Sequence, residues 1–248
     1  LVPLVVAGVL LDNYLHDLHE QFGRQESRSA FRELAANLRA LETDTRNAAE
    51  ELARSESVIA PLNLLSRYQD PGDYRPLVFD AEKKKLARRL RQVVLTTPAT
   101  MACVHTVDGS PAAVAYPEAG TDNVAMGVVT YEGGEHRLLL SRNGEDWLPG
   151  DFSRFPSRLH FRPMPAPFGT TYRVQDNELV QVIARPVDLT PEAPDIQRVG
   201  MVRVSVTLDA GYLARLAAAP GLHFALFSGK GQRIIGPEDV QAVSLPGE

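Results

Sequence analysis

Residues 101–140 read MACVHTVDGSPAAVAYPEAGTDNVAMGVVTYEGGEHRLLL, and this stretch decides the fold. Apolar and small residues run over Met101 to Val107, Ala112 to Tyr116, Val124 to Tyr131 and His136 to Leu140. Between them stand Asp108-Gly109-Ser110, Gly120-Thr121-Asp122 and Gly133-Gly134, residues that turn a chain tightly. Strands joined so closely pair antiparallel. The pattern returns in Leu159 to Arg162, Tyr172 to Val174, Leu179 to Pro186 and Val199 to Leu208, with turns at Asp176-Asn177 and Pro191 to Asp195. A mostly antiparallel sheet follows. Asp209 then stands where an N-cap belongs, ahead of a short helix over Tyr212 to Ala219 that Pro220-Gly221 ends. A last hairpin, Leu222 to Phe227 and Arg233 to Ile235, turns on Ser228-Gly229-Lys230-Gly231.

Upstream of residue 100 the period is helical. Phe31, Leu34, Leu38, Leu41, Thr45, Ala48, Leu52, Ser55, Ile59 and Leu62 recur in steps of three and four, the seam of a heptad pattern, with Arg and Glu residues between them. A helix from about residue 12 to 60, stopped near Pro61, would be on the order of 70 Å long at 1.5 Å per residue. Its seam meets either a second copy of the chain, as in a homodimer, or the chain's own sheet. Arg67 to Tyr74 contains Asp-Pro-Gly-Asp, a turn. A second helix is expected over Asp80 to Leu95, with Leu86, Leu90, Val93 and Val94 on its apolar face and Lys83, Lys84, Lys85, Arg88, Arg89 and Arg91 on a solvated one. The expected fold class is therefore α+β, a long N-terminal helix packed on the sheet.

The 248 residues carry a net charge of −5, which offers no basic footprint for nucleic acid. Cys103 is the only cysteine, so no intrachain disulfide forms, and its apolar strand makes it a buried, inert thiol. Leu1 to Leu11 (LVPLVVAGVLL) is uncharged and apolar but about half the roughly 20 residues a membrane helix needs. It reads as the outer end of such a helix, with a short buried helix as the plain alternative. No Walker loop, Gly-x-Ser-x-Gly elbow, His-Glu-x-x-His or Cys-x-x-Cys occurs, so neither an enzyme nor a cofactor is called for. His16 and His19 stand one helical turn apart without an evident third ligand, so no metal site is expected.

In order, the parts are the end of a membrane helix (1–11), a long helix, turn and second helix (12–97), a sheet (98–208) and a small helix and hairpin (209–248). This order resembles the periplasmic double-Cache, PAS-like sensor domains of bacterial chemoreceptors, sensor histidine kinases and diguanylate cyclases. The resemblance is carried most specifically by Arg158-Leu159-His160-Phe161, Tyr172, Glu178 to Val187 (ELVQVIARPV) and Gly200 to Val206 (GMVRVSV). It implies a PAS-like arrangement of the sheet, a truncated membrane-proximal subdomain from Asp209, and an inner-membrane receptor with this part in the periplasm. The function it implies is ligand sensing relayed through the long helix. Two alternatives stay open, a non-catalytic dimerisation or protein-docking module and an exported binding protein.

Family members that bind amino acids carry Arg-x-Trp-Tyr, a later Tyr, and an Asp after the Gly. Here Arg158, His160, Phe161, Tyr172 and Ser205 fall at those places. Through the resemblance, Arg158 and Tyr172 would hold a ligand carboxylate, while Ser205 replaces the Asp that pairs with an ammonium. A serine supplies no charge to offset a buried amine, so a small carboxylate or other anion is the expected ligand and a free amino acid is disfavoured. An exposed strand arginine is the plain reading of Arg158.

Overall fold

The computed structural model describes residues 29, 32–118, 120–150, 168–175, 178–189, 197–209, 211–212, 226–227 and 233–235. The chain divides into two compact units, Leu41–Leu208 and a second made of Leu1–Ala40 with Asp209–Glu248. The fold of the first is α+β, with helices on an eight-stranded antiparallel sheet.

Residues 32–54 form helix α1, and the chain then breaks at Ser55, whose backbone is extended (φ −75°, ψ 126°). Helix α2 restarts at once over Glu56–Tyr68. The expected single helix ending near Pro61 is thus two helices, and the break lies six residues earlier. Pro61 sits buried inside α2, where it lacks the N–H that would reach Ser57. Ser57 is exposed, so water can take up its freed carbonyl. Helix α3 spans Pro76–Thr96, beginning before the expected Asp80 because Pro76 fills the first helical position, where a missing N–H costs nothing. Between α2 and α3, Gly72 N–H donates to Asp70 Oδ1 at 2.8 Å and closes the turn.

The strands are β1 (Met101–Thr106), β2 (Pro111–Pro117), β3 (Val124–Glu132), β4 (Glu135–Ser141), β5 (Leu148–Gly150), β6 (Gly169–Gln175), β7 (Glu178–Asp188) and β8 (Arg198–Leu208). They run in the order β5-β4-β3-β2-β1-β8-β7-β6, every neighbouring pair antiparallel. The first and last strands therefore lie side by side in the middle of the sheet. Gly133 (φ 60°) and Gly134 (φ 84°) make the two-residue turn of the β3–β4 hairpin, a conformation that needs left-handed backbone twice in succession.

The three helices share one face. Ala48, Ala49, Leu52 and Ala53 of α1, Val58, Leu62 and Leu65 of α2, and Leu86, Ala87, Leu90 and Val94 of α3 join one core with Ala102, Val104, Ala113, Met126, Ile183 and Val204 of the sheet. From Ala48 onward the heptad seam is thus spent on the chain's own sheet, the second of the two options it left open. At Gly200 the contact is closest. A Cβ there would meet the His105 backbone oxygen at 2.4 Å and Leu62 Cδ1 at 3.0 Å. The Ser66 hydroxyl donates to the Val199 carbonyl at 2.5 Å beside it and fixes α2 on β8.

In the second unit, Leu226–Phe227 (β9) and Arg233–Ile235 (β10) pair antiparallel. Tyr212 N–H donates to Asp209 Oδ1 at 2.6 Å, the bond of an N-capping aspartate. The expected strand Leu159 to Arg162 and most of the Tyr212 to Ala219 helix lie outside the described residues, as does Leu1 to Leu11. Among the described residues no helix is long and apolar enough to cross a membrane.

Candidate functional site

Successive side chains on a strand point to opposite faces, and residues opposite each other in register share a face. Tyr172 pairs with Gln181, and Gln181 with Val206, a row that lies on the helix-covered side. The Tyr172 hydroxyl accordingly donates to Glu42 Oε2 of α1 at 3.3 Å and accepts from Gln181 Nε2 at 2.9 Å. Ser205 pairs with Val182 and with Met101, the adjacent row, and so faces the other way. Of the five residues expected to share a pocket, Tyr172 and Ser205 are therefore not brought together. Arg158, His160 and Phe161 lie outside the described residues.

The face that carries Ser205 holds an unusual set of buried polar groups. Arg203 is opposite Cys103, with His105 two residues along β1, so Cys103, His105, Arg203 and Ser205 all stand on it. All four are buried, Arg203 to 2% exposure and Ser205 to 1%. His105 Nδ1 lies 3.1 Å from the Gly109 carbonyl, which can only accept, so the ring proton is on Nδ1. Its Nε2 then accepts from the Cys103 thiol at 3.3 Å. Burial pushes the imidazole down to about 4 and the thiol up to about 11. The cysteine reads as inert, as its strand context implied, and a Cys-His pair in these states is the opposite of an activated nucleophile.

Burial also holds the Arg203 guanidinium below its ordinary range, and the charge of Arg173 on β6 acts in the same direction. Ser205 Oγ is buried with no hydrogen-bond partner among the described residues. Met101, Val114, Leu138, Tyr116 and Leu140 provide apolar surroundings. Arg203 and Arg173 thus bring two guanidinium groups to the face that carries the Ser205 hydroxyl, and a guanidinium recognises a carboxylate through paired donors. Arg203 and His105 were not singled out in the sequence. The signal for Arg203 was its place between Val202 and Val204 in a strand apolar on both faces.

A second cluster lies at the other side of the sheet, at the start of α3. Lys83, expected on the solvated face, is the largest fully buried side chain among the described residues, exposed to 1%. It stands four residues after Phe79 and three before Leu86, which is the apolar stripe rather than the charged one. Its Nζ donates to the Val129 carbonyl at 2.5 Å and lies 4.8 Å and 4.9 Å from the ring centres of Tyr74 and Tyr131. Burial pushes the ammonium down to about 7, against the attraction of Asp80 and Asp108. The Tyr74 hydroxyl donates to Asp80 Oδ1 at 2.5 Å, and burial followed by that bond raises the phenol well above its ordinary range.

Between α1 and α3, Asn47, Glu50, Glu51, Arg54, Ser55 and Arg89 line an open groove of about 510 Å³. Its charges are largely paired: Arg89 with Glu51 at 2.6 Å, and Glu50 with Arg185 of β7 at 3.1 Å. Among the described residues no three His, Cys, Asp or Glu side chains converge to hold a metal ion. No protein-family model matches the chain, and no curated protein matches it.

Proposed function

We propose that the chain is the extracytoplasmic ligand-sensing domain of a bacterial membrane receptor, of the double-Cache, PAS-like kind, and that its ligand is a small organic acid. One observation supports this above the others: a single sheet carries buried Arg203 and Ser205 on one face and the helix layer on the other. A ligand on the first face is one strand thickness from the output helix. The strand rows interleave, so a displacement of β7 or β8 moves Gln181 and Arg185, and these hold Tyr172 and Glu50 at α1. A sensor needs such an interface with two packings whose balance the ligand tilts. The receptor would sit in the inner membrane as a homodimer, anchored through the segment at Leu1 to Leu11, with this part in the periplasm.

A thermal-shift screen with organic acids, amines and amino acids tests the reading, because a ligand that binds only the folded state raises the melting temperature. Acids are expected to stabilise the protein. Ser205→Asp, which sets a carboxylate beside Arg203, should abolish that response, and Arg173→Ala should weaken it. Arg158→Ala should also abolish it if the position carried over by resemblance joins this face. Stabilisation by amines alone, or an acid response that survives Ser205→Asp unchanged, would overturn the assignment. No response to any class would favour a protein-docking module.

A further inference from the structure

Lys83 sits where three parts of the chain meet. Its own helix is α3, the turn at residues 69–75 supplies Tyr74, and the end of β3 supplies Val129 and Tyr131. The β2–β3 register ends at Ala113 opposite Val128, so beyond that pair β3 is open on one side and the lysine reaches its carbonyl. An ammonium carries three donors, and here one carbonyl and two ring faces receive it. The carboxylates around it are engaged elsewhere: Asp80 accepts from Tyr74, and Asp108 in the β1–β2 turn accepts from Thr106 and Ser110. On β4, His136 packs on Tyr131, ring centres 4.7 Å apart and planes tilted by 48°. Among the described residues no acidic group forms an ion pair with Lys83. A charged lysine in this place is desolvated with no ion pair, only the attraction of Asp80 and Asp108 working against that cost, and a neutral one avoids it.

We propose that Lys83, clasped between Tyr74 and Tyr131, is a proton-responsive latch. With the amine neutral, the 69–75 turn and the first turn of α3 lie closed on the end of β3. Proton uptake by Lys83 favours an open state in which that turn lifts and water reaches the ammonium. In the closed state the proton is held only below about pH 7, whereas in the open state Lys83 has the ordinary lysine affinity near 10.5. The closed state is therefore favoured fully above the ordinary lysine range, loses ground as pH falls, and reaches its weakest point at about 7. Between those limits the open population changes about tenfold per pH unit.

Amide exchange of residues 69–83, corrected for its intrinsic pH dependence and read by mass spectrometry from pH 6.5 to 9, reports the opening. The open population is expected to be flat below about 7 and to fall about tenfold per unit above it. Lys83→Met should remove the dependence, and His136→Gln should leave it in place. Asp80→Asn, which removes an attraction for the ammonium, should move the midpoint to lower pH and serves where Lys83→Met fails to fold. A flat wild-type profile, a profile kept by Lys83→Met, or one abolished by His136→Gln would each overturn the latch. The same slope in the amides of β8 would also overturn it, because the whole unit would then be opening.

Discussion

His105 and Cys103 hold each other neutral over a wider range of pH than either keeps in water. The imidazole is neutral because both its nitrogens are engaged in a buried place, and the thiol serves it as a donor. A histidine pushed down to about 4 when folded, from 6.5 when unfolded, stabilises the fold fully above 6.5. That contribution is lost as pH falls from 6.5 through about 4, and it amounts to about 3 kcal/mol by proton linkage. Urea unfolding at pH 7 and pH 4 should show this loss in the wild type, and His105→Gln should reduce it. Little of this was legible in advance. A histidine in an apolar strand reads the same whether it faces a ligand, a carbonyl or a thiol, and Gly109 becomes its partner only through the turn that follows β1. Lys83 was legible, since its spacing from Phe79, Leu86 and Leu90 is that of a core position, but the neighbouring Lys84 and Lys85 drew it into an apparent charged face.

Among the elements, the strands bounded by Asp-Gly-Ser, Gly-Thr-Asp and Gly-Gly are found close to where their turns place them, because turn chemistry fixes ends that periodicity leaves vague. The three-residue strand β5 was invisible, since Leu148-Pro149-Gly150 carries two residues that ordinarily argue against a strand. Facing was the hardest thing to read. β1 is buried along its whole length and β8 nearly so, and a strand covered on both sides loses the alternation that tells one face from the other. For this reason Tyr172 and Ser205 could be assigned to one pocket from sequence and yet stand on opposite faces. Gly200 was quoted for its place in a pattern, and its physical role is the approach of α2 to β1. Gly200→Val should lower the urea midpoint by a large fraction of total stability, on the order of 2 kcal/mol or more, as overpacking against backbone does. Gly200→Val paired with Leu62→Ala should recover part of the loss only if Leu62 rather than the His105 carbonyl is the main obstacle.

At the scale of the whole unit Leu41–Leu208, the pairing of β1 with β8 joins the start of the sheet to its end. Met101 lies opposite Ser205 and Thr106 opposite Gly200, so a separation of about a hundred residues is closed by one ladder. The strands between can form hairpins as they are made, yet β1 keeps one unpaired, wholly buried-type edge until the last strand arrives. During synthesis this is the interval of greatest exposure to aggregation, and its length is set by elongation speed rather than by any local preference. A chain ended at Asp188 should accordingly contain local hairpins but no cooperative unfolding transition by circular dichroism. Supplying residues 198–208 as a separate peptide should restore that transition, because the missing piece is a central strand with a prepared slot on either side. A maturing polypeptide of this design has a natural checkpoint: nothing is committed until its final strand slides home.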